Sequence, residues 1–160
     1  MEEKLTPGKR LSPEQALVKA MKYCAYQERS QQEVRDKLYS FGLHRNEVEN
    51  NIVQLIDKGY LKEERFAVAF ANGKVRIKKW GVVKIRQALK EKQVSEPLIR
   101  LAIATIDSEE YLKALKSLVN KKSKQLSEKN IFKRKYKIAQ YCIQHGFEAE
   151  LVWDILKNEE

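Results

Sequence analysis

Between Lys74 and Lys92 the chain places eight Lys or Arg and a single Glu. The chemistry open to such a set is non-covalent: ammonium and guanidinium groups that hold phosphates or carboxylates. Lys74, Arg76, Lys79, Lys84 and Arg86 are the candidate binding residues here, with Lys78, Lys90 and Lys92 beside them. Lys and Arg on an exposed helix face are ordinarily just solvated, so spacing matters. Arg86 and Lys90 lie four apart and share a helix face, whereas Lys84 lies about 160° of helix rotation from Arg86, so the cluster cannot all point one way. Lys74, Lys78 and Lys79 also fall at a predicted helix end, where positive charge offsets the negative pole of the helix without any ligand. Trp80 sits inside the cluster and has two readings, a ring that stacks on a base or anchors an interface, or a plug at a helix corner.

A second basic region, from Lys113 to Lys137, sets ten Lys or Arg against Glu128 alone. Lys121, Lys122, Lys124, Lys133 and Arg134 are its candidate binding residues, and a solvated polycationic loop is the competing reading. Phe132 and Tyr136, four apart, are expected to pack together rather than stack on a ligand. For covalent chemistry the chain offers little. His44 and His145 fall at turn positions, and there is no paired-carboxylate, Ser/His/Asp, Gly-rich phosphate-loop or His-Glu-x-x-His pattern. The expectation is a protein without catalytic residues, metal or cofactor.

The rest of the composition frames these clusters. The formal charge of +10, with a pI near 9.5, is concentrated in the middle: +6 over residues 60–107, against +1 before and +3 after. That balance favours nucleic acid or an anionic protein surface. Cys24 and Cys142 lack metal or redox spacing and lie in helical apolar patterns, so both are expected to be buried free thiols. The first residues carry no signal-peptide core, and no stretch is apolar enough to span a membrane, which fits the cytoplasm.

The elements that position the clusters follow from a repeat of about 52 residues. With Leu43, Val94 and Phe147 as equivalents, the positions nine before are Val34, Ile85 and Ile138, and five before are Leu38, Leu89 and Cys142. Five after are Val48, Ile99 and Val152, and nine after are Ile52, Ile103 and Leu156. All fifteen are apolar, the mark of a repeated helical pair with one buried face. Gly42 and Gly146 precede the corner residue, where a helix end needs a left-handed residue. Ser12 with Pro13 and Gln15, Ser30 with Glu33, and Ser95 with Glu96 and Pro97 are helix starts. The spacing predicts helices over 13–28, 30–41, 45–58, 62–77, 80–92, 96–106, 108–126, 130–145 and 148–157. The expected fold is all-α, an elongated curved stack of three tandem three-helix repeats with no sheet: a flexible leader 1–11, then repeats over 12–59, 60–107 and 108–160. Units this small must share apolar surface with their neighbours.

Gly59-Tyr60-Leu61, Arg65-Phe66-Ala67, Arg76, Lys79, Gly81, Ile85 and Leu89, in this order and spacing, resemble the core signature of the RecX family, bacterial modulators of the RecA recombinase. The likeness extends through Ser30, Val34, Leu38 and Gly42 upstream and over the last third downstream, about 13–157. Gln93 departs from it, standing where the family usually has Gly, so a less tight turn is expected there. The resemblance implies a monomeric, non-catalytic regulator of DNA repair and the SOS response. It would lie in the groove of a RecA filament on single- or double-stranded DNA and inhibit its recombination and ATP hydrolysis. It also implies a structural role for Arg65, with an ion pair to Asp57, Glu63 or Glu64. Residues alone leave open a general DNA- or RNA-binding helical protein that contacts phosphates, or a protein scaffold.

Overall fold

A computed structural model describes residues 10–158. Among them are nine α-helices and no strand: α1 Pro13–Tyr26, α2 Gln31–Ser40, α3 Arg45–Asp57, α4 Glu63–Gly73, α5 Val82–Glu91, α6 Glu96–Ala104, α7 Ser108–Gln125, α8 Ile131–Gln144 and α9 Ala149–Asn158. A five-residue π turn, Lys74–Lys78, continues α4. Most of the expected leader lies outside the described residues. Its last two members are ordered, since the Leu11 N–H donates to Phe41 O at 3.0 Å and Arg10 reaches Glu47 and His44.

The starts are local chemistry. At α1, Ser12 Oγ accepts from the Gln15 N–H while Gln15 Oε1 accepts from the Ser12 N–H. The same reciprocal box joins Ser30 and Glu33 at α2, satisfying amides that the helix leaves unpaired. Ser95 precedes α6 in extended conformation, but its side chain accepts no capping bond.

The corners share one device. Gly42, Gln93 and Gly146 all have positive φ, at 87°, 64° and 97°, and each precedes a buried apolar residue, Leu43, Val94 or Phe147. Gln93 therefore adopts the left-handed turn that glycine makes elsewhere, so the looser turn expected there is not found. A side chain in that region costs about 1 kcal/mol.

The described chain divides into two compact units, one of residues 10–67 with Lys92–Val94, the other of Val68–Glu91 with the residues from Ser95 onward. In the first, α1, α2 and α3 close around Ala16, Ala20, Val34, Leu38, Val48, Ile52 and Leu55. Asn51, buried among them, donates from Nδ2 to Pro13 O at 3.2 Å, so a costly buried amide is satisfied. Arg65 pairs with Glu28 rather than with Asp57, Glu63 or Glu64, and donates to Gly59 O at 2.9 Å. The second unit buries Ile85, Leu89 and Ile99 on α5 and α6, Leu115, Leu118 and Val119 on α7, Ile138 and Cys142 on α8, and Phe147, Val152 and Leu156 in the last corner and helix. Of the fifteen repeat positions, Ile103 alone is only half-buried. Both thiols are free and buried. Burial pushes the Cys142 thiol up to about 11 and also raises that of Cys24, where Arg29 nearby partly offsets it. Such thiols are poor nucleophiles.

Candidate functional site

The signature-bearing corner is built by the end of α4. Its ladder widens into the π turn, which closes when Lys79 takes a left-handed conformation, φ 56°. The Trp80 N–H then donates back to Lys74 O at 3.1 Å, and Lys79 Nζ donates to Arg76 O at 2.8 Å, capping the turn. Gly81 comes next with no room for a side chain: a Cβ there would lie 2.3 Å from Gly146 and Phe147 backbone atoms. The Gly81 N–H donates to His145 O at 2.8 Å and the Val83 N–H to Gly146 O at 3.0 Å. Gly81 thus serves a close backbone approach between the start of α5 and the α8–α9 corner. Beneath it, Tyr111 accepts from the Val82 N–H at 3.0 Å and donates to Glu148. Burial, and then the Glu148 bond, raise its phenol well above the usual tyrosine range.

Trp80 is neither a buried plug nor a free platform. It is half-buried, edge-on to Phe70 with centroids 6.4 Å apart, and has Lys74 Nζ at 4.8 Å and Lys84 Nζ at 4.6 Å from its ring centroid. Two cations at that range are held by the ring quadrupole. The neighbouring charges are mostly engaged too. Arg76 pairs with Glu110 at 3.2 Å, Arg86 with Glu96, Lys90 with Glu96 at 3.8 Å, and Lys92 with Glu33 at 3.6 Å. Lys78 is exposed and has no partner among the described residues.

The second basic region is disposed differently. Tyr111, Ala114, Leu115, Leu118 and Val119 form the buried stripe of α7. On the opposite side Lys113, Lys116, Ser117, Asn120, Lys121 and Lys124 line a shallow trough of about 560 Å³. None of these four lysines has an acidic partner among the described residues. Lys113 and Lys116 were missing from the sequence-derived candidates. Their i, i+3, i+8, i+11 spacing with Lys121 and Lys124 is the sequence signal that puts all four on one side of the helix. Lys122 leans over the Tyr141 ring at 5.0 Å. Arg134 is internally committed: its guanidinium donates to Leu126 O at 3.1 Å, Glu128 O at 3.3 Å, Ser123 O and Ser123 Oγ, tying α8 to the end of α7. Lys137 holds Glu128 at 3.2 Å, and that bond, with the Asn130 N–H, keeps the Glu128 carboxyl below its ordinary range. Lys133 is exposed beyond this network.

Phe132 and Tyr136 do not pack as expected; they are exposed by 84% and 58%, and Ile131 by 65%. The reason is register. The buried stripe of α8 starts at Ile138, Ala139 and Cys142, and both aromatic residues lie more than about 100° round the helix from Ile138.

Among the described residues, no group of three or more His, Cys, Asp or Glu could hold a metal ion. No described helix is long and apolar enough to cross a membrane. His44 Nε2 lies 2.8 Å from Arg10 and His145 Nδ1 2.9 Å from Tyr141 O, so each ring has a local partner.

Family comparison matches three consecutive stretches: residues 16–55 to the RecX first three-helix domain, 63–103 to the second and 109–156 to the third. The Regulatory protein RecX of Lactobacillus johnsonii is 32% identical over 136 residues, 85% of this chain and 50% of that protein. Its namesake from Geobacillus sp. is 28% identical over 88% of this chain and 52% of that protein. This chain thus spans about half the length of those two relatives. The Haemophilus influenzae Regulatory protein RecX, 29% identical, is covered over 87% of its length by 83% of this chain. Two crystal structures, a regulatory protein RecX and the RecX of Lactobacillus salivarius, match 92% of this chain with TM-scores of 0.81 and 0.80. This chain covers 72% and 95% of them at 22% identity, a likeness of fold.

Proposed function

The chain belongs to the RecX family, and from that premise we propose that it is a non-catalytic regulator of the RecA recombinase. It lies in the groove of a RecA–DNA filament and lowers recombination and ATP hydrolysis during DNA repair, acting as a cytoplasmic monomer. The observation that carries this reading is the run of three consecutive family domains over residues 16–156, which repeats one helical module beside a filament that itself repeats. Contacts that are individually weak then add through linkage.

The cations supply the physical means. Lys74, Lys79 and Lys84 are anchored at one corner beside Trp80 by the bonds described above. Lys121, Lys124 and Lys133 offer charges with no acidic partner among the described residues. An acidic or phosphate-lined groove is the complementary surface. Arg76, Arg86 and Arg134 act in this reading by holding the modules in shape, and Lys122 contributes where it emerges from Tyr141.

The test is a binding comparison among RecA-coated DNA, naked DNA and free RecA under one salt condition. Much tighter binding to the coated DNA is expected. Equal affinity for coated and naked DNA replaces the reading with that of a general phosphate-contacting nucleic-acid binder.

A further inference from the structure

The start of α8 carries an aromatic pair that the regulator reading does not use, beside Lys133, which it does. Phe132 and Tyr136, four apart, fall on the same side of the helix, within about 40° of each other, and both rings stand largely in solvent. Lys133 follows the first ring, Lys129 lies three residues before it, and both lysines are exposed without an acidic partner among the described residues. Solvated aromatic rings so close together carry a hydration cost that packing does not remove.

The occupant follows from charge and shape. A second copy of the chain would bring like charge against Lys129 and Lys133. Rings as exposed as Phe132 project rather than line a hollow, so they suit a flat partner. A base pair within a duplex has its faces already stacked, whereas an unpaired base offers a free π-face and carries a phosphate on each side. We propose that this face of α8 is a binding site for single-stranded nucleic acid. Successive bases stack on Phe132 and Tyr136, and the flanking phosphates are held by Lys129 and Lys133. This direct contact needs no recombinase and does not depend on the regulator reading.

The test measures fluorescence anisotropy of a labelled short oligo(dT), an abasic strand of equal length and a duplex, with the full chain at low salt. Phe132→Ala and Tyr136→Ala are each expected to weaken oligo(dT) binding about fivefold or more, while Phe132→Trp preserves it. Neither alanine change should alter binding of the abasic strand. Lys129→Gln and Lys133→Gln should weaken both strands and lower the salt dependence by about 0.7 log units per log unit of salt each. Because all four side chains are exposed, circular dichroism should be unchanged. The proposal is overturned if the wild-type chain binds oligo(dT) no better than the abasic strand or duplex, or if the alanine variants bind oligo(dT) like wild type. Since RecA is absent, either result leaves the filament comparison untouched.

Discussion

Two stretches of this chain carry a similar density of positive charge and use it differently. From Lys74 to Lys92 every cation but Lys78 has an internal partner among the described residues: Trp80 for Lys74 and Lys84, Glu110 for Arg76, a turn carbonyl for Lys79, Glu96 for Arg86 and Lys90, and Glu33 for Lys92. Along α7 and into α8, Arg134 and Lys137 are engaged, but Lys113, Lys116, Lys121 and Lys124 form a stripe with no acidic partner among the described residues. Charge density in a sequence therefore identifies where cations are, and only the surrounding acids and carbonyls decide which remain available. The first stretch sets the shape of a corner. The second presents charge.

Substitutions in the two stretches should separate these roles. The largest effect should come from Gly81→Ala, whose Cβ would enter the Gly146 and Phe147 backbone. Neither neighbour is a flexible side chain that can move aside, so the loss should exceed about 3 kcal/mol in a urea unfolding series. A midpoint close to wild type would dissolve the claim that this corner is a rigid joint. Arg134→Ala should follow, costing about 1 to 2 kcal/mol, because carbonyls at the end of α7 lose a charged donor. Gln93→Gly should raise stability by about 0.5 to 1 kcal/mol through relief of the left-handed side chain. Smallest in stability is the double change Lys113→Glu and Lys116→Glu, expected within about 0.5 kcal/mol of wild type while binding to a polyanion falls. Arg86→Glu, beside Glu96, should instead cost about 0.5 to 1 kcal/mol. Equal stability losses from the two charge reversals would erase the contrast between the stretches.

The fold was legible because its rules are local. Period, cap chemistry and corner glycines placed all nine helices, and α1 and α2 begin with the reciprocal boxes that Ser12-Gln15 and Ser30-Glu33 spell out. What the sequence concealed was mostly long-range pairing. Arg65 finds Glu28, 37 residues away, in place of the acids beside it, and Arg76 finds Glu110, 34 residues on. Local spacing cannot rank such partners. Phe132 and Tyr136 failed for another reason: an i, i+4 aromatic pair signals a shared face, yet only the rotation of Ile138 and Cys142 into the core reveals that the shared face looks outward. At Gln93 the corner's requirement for a left-handed residue overrode side-chain preference, which a one-residue rule does not capture.

Regulation at the level of a recombinase filament should be visible in the DNA-dependent ATPase rate of the cognate RecA with this chain added at one copy per several recombinase subunits. A clear fall in rate is expected at that ratio, because one bound copy acts on a run of subunits. An unchanged rate, measured while the chain is demonstrably bound to the same DNA, would contradict it.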